Sequence, residues 1–101
     1  MHMLLHVEFP LEPFSSAVRD GSIGKKVKAI LDDLKPEVAY FTEQDGCRGG
    51  IMIVNVNSPS DIPKLAEPWF LQFNAECRFR IAMTPEDLGK GGLEALGKKW
   101  A

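Results

Sequence analysis

The sequence predicts an α+β fold of the ferredoxin-like kind: strand order βαββαβ, an antiparallel sheet arranged 4-1-3-2, and a closing C-terminal helix, in one domain spanning residues 1–101. Two observations carry this. Apolar residues alternate with period two in four short stretches, and they recur at helical spacing in two longer ones between them. The order of those stretches is that of a split βαβ unit. Right-handed crossovers then place both main helices on one side of the sheet.

Met3, Leu5, Val7 and Phe9 alternate with Leu4, His6 and Glu8, so residues 3–9 form the first strand, and Pro10 and Pro13 stop it. A short stretch with Phe14, Ala17 and Val18 makes one or two helical turns before Asp20-Gly21 breaks it. Ser22 caps the first main helix, in which Ile23, Val27, Ile30, Leu31 and Leu34 form one stripe. Lys35-Pro36 ends it, because a residue before proline avoids the helical region. Val38 to Glu43 is a second strand, rich in β-branched and aromatic residues. Gln44 to Gly50 reads as a turn, and Ile51 to Val56 returns as the third strand of a hairpin. Ser58-Pro59-Ser60-Asp61 starts the second main helix, whose stripe includes Ile62, Leu65, Trp69 and Phe73; Pro68 inside it predicts a kink or two helical pieces. Glu76 to Met83 is the fourth strand. Thr84-Pro85-Glu86-Asp87 is a strong helix start, but Gly89, Gly91, Gly92 and Gly97 predict an irregular final helix, with Leu93, Leu96 and Trp100 packing.

Register sorts the side chains into two faces. Centring the hairpin turn between Cys47 and Arg48 sets Tyr40 opposite Asn55, Phe41 opposite Val54 and Thr42 opposite Ile53. Aligning strands 1 and 4 at their midpoints sets His6 opposite Arg80 and Glu8 opposite Arg78. Leu5, Val7, Phe9, Met52, Val54 and Phe79 then share the helix-covered face. The other face mixes Leu4, Tyr40, Ile51 and Ile53 with His6, Glu8, Asn55, Arg78 and Arg80. An open sheet with that much apolar surface calls for a partner, and the simplest is a second copy about a two-fold axis. A homodimer is therefore expected.

Composition narrows the classes. The chain is 45% hydrophobic and 26% charged, the balance of a globular domain, with a net charge of −2 that offers no basic footprint for nucleic acid. Its apolar runs are too short to span a bilayer, so no membrane association is expected. The N-terminus lacks the basic region and cleavage site of a signal peptide, and a cytoplasmic protein is expected. Cys47 and Cys77 are expected to stay unpaired, at opposite edges and near opposite ends of the sheet. No Cys/His cluster has metal-ligand spacing, so neither metal nor cofactor is expected.

Several local motifs add a resemblance: Arg19-Asp20-Gly21-Ser22, Leu34-Lys35-Pro36-Glu37, Ala39-Tyr40-Phe41-Thr42-Glu43, Ala66-Glu67-Pro68-Trp69-Phe70, Phe73-Asn74-Ala75 and Met83-Thr84-Pro85-Glu86-Asp87-Leu88. With them the chain resembles an uncharacterised bacterial family of small ferredoxin-like proteins in the dimeric α+β barrel superfamily. Muconolactone isomerase-like proteins and antibiotic-biosynthesis monooxygenase-like proteins also belong to that superfamily. The resemblance implies a dimer with a pocket between sheet and helices. It transfers no catalytic residue, since the superfamily's enzymes share no one catalytic motif.

The candidate ligand-binding residues are His6, Arg80, Tyr40 and Asn55, all on the open face. A histidine can move protons near neutral pH, and a neighbouring arginine would keep it neutral and grip a carboxylate or enolate. Glu8 and Arg78, an expected cross-strand pair, and Trp69, below the expected kink, are secondary candidates. His2, at the chain end, is expected to be incidental, and Cys47, in an exposed turn beside Arg48, is expected to have a slightly favoured thiolate. Gly21-Ser22-Ile23-Gly24-Lys25-Lys26 lacks the spacing of a phosphate loop and reads as a capped surface helix. Two functions follow. One is a small-molecule-binding dimer for an anionic or aromatic ligand, with cofactor-independent isomerase or monooxygenase-like chemistry in view. The other is a non-catalytic interaction or regulatory module whose sheet face serves only assembly.

Overall fold

The computed structural model describes residues 1–101. Strand β1 (His2–Phe9) is followed by helices α1 (Phe14–Asp20) and α2 (Ile23–Leu34), the hairpin β2 (Val38–Gln44) and β3 (Cys47–Asn55), helix α3 (Asp61–Phe73), strand β4 (Glu76–Ile81), and two short helices, α4 (Pro85–Gly89) and α5 (Leu93–Trp100). The four strands form one antiparallel sheet in the order β2-β3-β1-β4. That is the expected 4-1-3-2 order, and the fold is ferredoxin-like.

The helix-covered face builds the core as expected. Leu5, Val7, Met52 and Val54 are sealed from solvent beneath Ile30, Leu65, Trp69 and Phe73. Both ends of α2 differ from a simple capped helix. The Ser22 hydroxyl makes no capping bond; instead Asp20 Oδ1 accepts the Ser22 N–H at 2.8 Å. Lys35 ends α2 in the left-handed conformation, at φ 49°. Helix α3 runs as one piece through Pro68, not as the two pieces that are one of the expected alternatives. Four buried side chains, Leu65, Ala66, Trp69 and Phe73, tie it down on both sides of the proline. The carbonyl that Pro68 leaves without a donor belongs to the exposed Lys64, where water can serve it.

The hairpin turn is Asp45-Gly46, not Cys47-Arg48. Both turn residues have positive φ, 52° and 80°, the geometry of the two-residue turn that Asp-Gly favours. Strand β3 therefore begins at Cys47, and the register moves by four residues: Tyr40 faces Ile51, Phe41 faces Gly50 and Thr42 faces Gly49. Strand β4 moves by two, so that His6 faces Arg78, Leu4 faces Arg80 and Glu8 faces Glu76. Both shifts are even, which leaves every side chain on its expected face.

The C-terminal segment is two helices rather than one. Thr84 and Asp87 form a capping box at the start of α4, with both reciprocal bonds at 3.1 Å. Gly91 and Gly92 separate α4 from α5, and Gly92 has φ 72°. No helix of the protein is long and apolar enough to cross a membrane.

Candidate functional site

The middle of the open face is a row across all four strands: Tyr40, Ile51, His6, Arg78. The next row is Thr42, Gly49, Glu8, Glu76. Arg78 bridges the two acids of that second row, donating to Glu8 Oε2 at 3.1 Å and to Glu76 Oε2 at 3.0 Å. The Glu8 bond raises the Arg78 guanidinium above its ordinary range, with the Glu76 charge adding to it. The expected pair of Glu8 and Arg78 thus exists, as a diagonal contact.

His6 is 94% buried (6% exposed) although it lies on the uncovered face. The bare backbone of Gly49 lies beside the ring: a Cβ there would stand 3.6 Å from His6 Nε2, in van der Waals contact. Nε2 is itself buried and has no hydrogen-bond partner within the chain.

The other sequence candidates disperse. Arg80 lies in the Leu4 row and Tyr40 is two strands from His6. Asn55 is at the far end of the sheet, opposite His2. There His2 Nε2 and Asn55 Nδ2 each lie 3.1 Å from Glu37 Oε1, so His2 is a member of β1 with a partner, not an incidental terminal residue. Trp69 is fully buried on the opposite face and edge-on to Phe9 at 5.7 Å between ring centres. It belongs to the core, and its Nε1 has no partner within the chain.

The cysteines also differ from expectation. Cys47 lies within β3, and burial, followed by the nearby Glu8 carboxylate, pushes its thiol up, opposite to the expected favoured thiolate. Burial pushes Cys77 to about 11, its thiol pointing to the Ala66 carbonyl at 4.0 Å. Both are unpaired. They sit toward the same end of the sheet, not opposite ends: Cys77 faces Val7, while Cys47 lies just beyond the Arg48–Phe9 pair. Register puts them on opposite faces, which keeps the thiols apart.

A second feature escaped the sequence reading. A cleft of about 280 Å³ opens between the sheet and the α1–α2 side, lined by Phe9, Phe14, Val27, Phe41, Thr42, Arg48 and Gly49. Gly50 shapes it: a Cβ there would stand 3.2 Å from Phe41 Cε1, so Phe41 leans over bare backbone. The Arg48 guanidinium lies 4.6 Å above the centre of the Phe14 ring and donates to Ser15 Oγ at 2.9 Å. Those two contacts hold a cation against aromatic walls and leave other N–H groups free. A wider groove of about 640 Å³ near the start of α3 carries Asp33, Asp61, Lys64 and Glu67 and no aromatic ring. The signal for the cleft was in the sequence: two adjacent glycines inside a strand mark places where other groups approach the backbone.

No sequence-family profile and no curated protein matches the chain. Among solved structures, the fold matches 5-chloro-2-hydroxyhydroquinone dehydrochlorinase (TftG) from Burkholderia phenoliruptrix AC1100, determined in complex with 2,5-dihydroxybenzoquinone. The TM-score is 0.60 at 15% sequence identity, over 85% of this chain and 97% of that one. At that identity the likeness is one of fold.

Proposed function

We propose that this protein is a cytoplasmic homodimer that binds a small aromatic anion in the cleft beside Arg48. The observation that carries the reading is the pairing of an aromatic cleft, Phe9, Phe14 and Phe41, with a single fixed guanidinium. Aromatic rings supply apolar contact, and the remaining Arg48 donors suit a carboxylate or phenolate. The bound quinone of TftG, on a shared fold, is in keeping with a ligand of this class. The two unpaired thiols are in keeping with a reducing compartment. The open sheet face, with Leu4, Ile51 and Ile53, is the dimer contact.

The cleft is lined by no histidine, carboxylate or thiol, which favours binding over turnover there. Isomerase or monooxygenase-like chemistry, the class the superfamily resemblance brings into view, finds no histidine in this cleft, since His6 lies on the other face of the sheet. The rival reading, a module whose sheet face serves assembly alone, draws on the Glu8–Arg78–Glu76 ion pairs.

Thermal-shift titration with benzoate, salicylate and 4-nitrophenolate, with neutral benzamide as control, tests the proposal. The anions should raise Tm by mass action and benzamide should not. Arg48→Ala should weaken anion binding by about tenfold or more, since hydrogen bonds to charged groups contribute roughly 1.5–3 kcal/mol. Absence of any shift from all three anions favours the assembly module.

A further inference from the structure

We propose that the C-terminal arm, α4 and α5, docks on a second copy of this chain and is part of the dimer contact. The inference rests on the sheet-face dimer proposed above and adds the element that holds it together. The chain has a radius of gyration of 17.0 Å and a longest dimension of 59 Å. A folded chain of about 100 residues has a radius of gyration near 13 Å. The excess lies in the arm, since no residue of α4 or α5 is buried.

The arm is built for contact. Leu93, Leu96 and Trp100 fall on one stripe of α5, and Trp100 is 76% exposed. Glu94 and Lys98 pair on another side, 3.9 Å apart. Ile81 and Met83, at the root of the arm, are two-thirds exposed. An eight-residue helix with Gly97 inside it does not hold in water by propensity alone, because isolated helices under about 12–15 residues are marginal. Helix α5 therefore needs a surface, and its own chain offers only the edge of α4, which buries none of its residues.

The occupant is a second copy because the chain carries the matching surface. Its open face has exposed Tyr40 and Ile51, and Arg80 there makes no ion pair within the chain. A stable homodimer buries about 800 Å² per copy. One tryptophan and the arm's leucines, with Ile81 and Met83, present apolar surface on the order of that figure, since an aromatic side chain alone buries about 150–250 Å². Arms exchanged about a two-fold axis close the assembly on itself, using surface already present on each copy.

The two tryptophans make the test direct, since Trp69 is fully buried and Trp100 is not. Acrylamide quenching of the unmodified chain is measured beside light scattering over a dilution series, with Leu96→Asp as the variant. A dimer with a shielded Trp100 that becomes quenchable on dilution supports the proposal. Leu96→Asp should raise the dimer dissociation constant roughly tenfold or more, as for a charge placed in a desolvated contact. A dimer whose Trp100 stays freely quenchable, or one that Leu96→Asp leaves unchanged, overturns the arm contact and spares the sheet-face dimer. A monomer at every concentration overturns both. A monomer with shielded Trp100 means that the arm folds back on its own chain, and also overturns the proposal.

Discussion

His6 and Gly49 form a matched pair: the imidazole lies over bare backbone, with Nε2 3.6 Å from the point where a Gly49 side chain would begin. Gly50 does the same for Phe41 on the opposite face. Two successive glycines thus admit one ring on each side of the sheet. Two adjacent positions of β3 serve the buried histidine and the aromatic cleft.

Gly49→Val should destabilise the protein by about 1–3 kcal/mol, the usual cost of overpacking. The Cβ would already stand 3.1 Å from the Val7 carbonyl oxygen, and the γ-methyls would meet the His6 ring. In a domain of this size each kcal/mol lowers Tm by roughly 4–8 °C. Chemical denaturation of the variant beside the unmodified chain measures the cost, and an unchanged midpoint would show that His6 moves freely.

Trp69→Phe should be far better tolerated than Trp69→Ala. The indole is fully buried but its N–H has no partner within the chain, so phenylalanine removes an unmet donor along with some volume. Alanine leaves a cavity and should cost about 3–5 kcal/mol. Equal losses for the two variants would mean that the N–H is hydrogen-bonded in solution.

Ile53→Lys should dissociate the proposed dimer while the monomer still folds. Ile53 is on the open face between Leu4 and Val38, and an unpaired ammonium buried there costs several kcal/mol. Light scattering at micromolar concentration reads the mass, and far-ultraviolet circular dichroism confirms the fold. A variant that stays dimeric places the contact elsewhere.

The start of α4 should loosen in acid. Backbone and side-chain hydrogen bonds from Thr84 hold the Asp87 carboxyl below its ordinary value. A carboxylate with a lowered folded pKa stabilises above the unfolded value, about 3.9, and that contribution is lost as pH falls through the folded one. Amide chemical shifts of Asp87 and Leu88 should therefore titrate below about pH 4. Thr84→Ala should move the Asp87 midpoint back up.

Much of the fold was legible in the chain, because alternation and helical spacing are local properties of the backbone. The period of Met3 to Phe9, the stripe from Ile23 to Leu34 and the Thr84–Asp87 box each specify an element with little help from the rest. Face assignment survived wrong registers for the same reason, since an even slip changes partners without turning a side chain over. Partner identity was different. Two residues in the Asp45-Gly46 turn decided that Tyr40 meets Ile51, and the packing of β4 on β1 decided that His6 meets Arg78 instead of Arg80. Pro68 stayed inside a continuous helix because contacts distant in sequence outweighed one missing donor. The cleft at Arg48 exists only where the hairpin meets α1, and the seat of His6 only where β1 meets β3, since each depends on a glycine from one strand meeting a ring from another. Local periodicity determined what each segment is, and only the tertiary structure decided which side chains share a site, because that depends on register and on space between segments far apart in the chain.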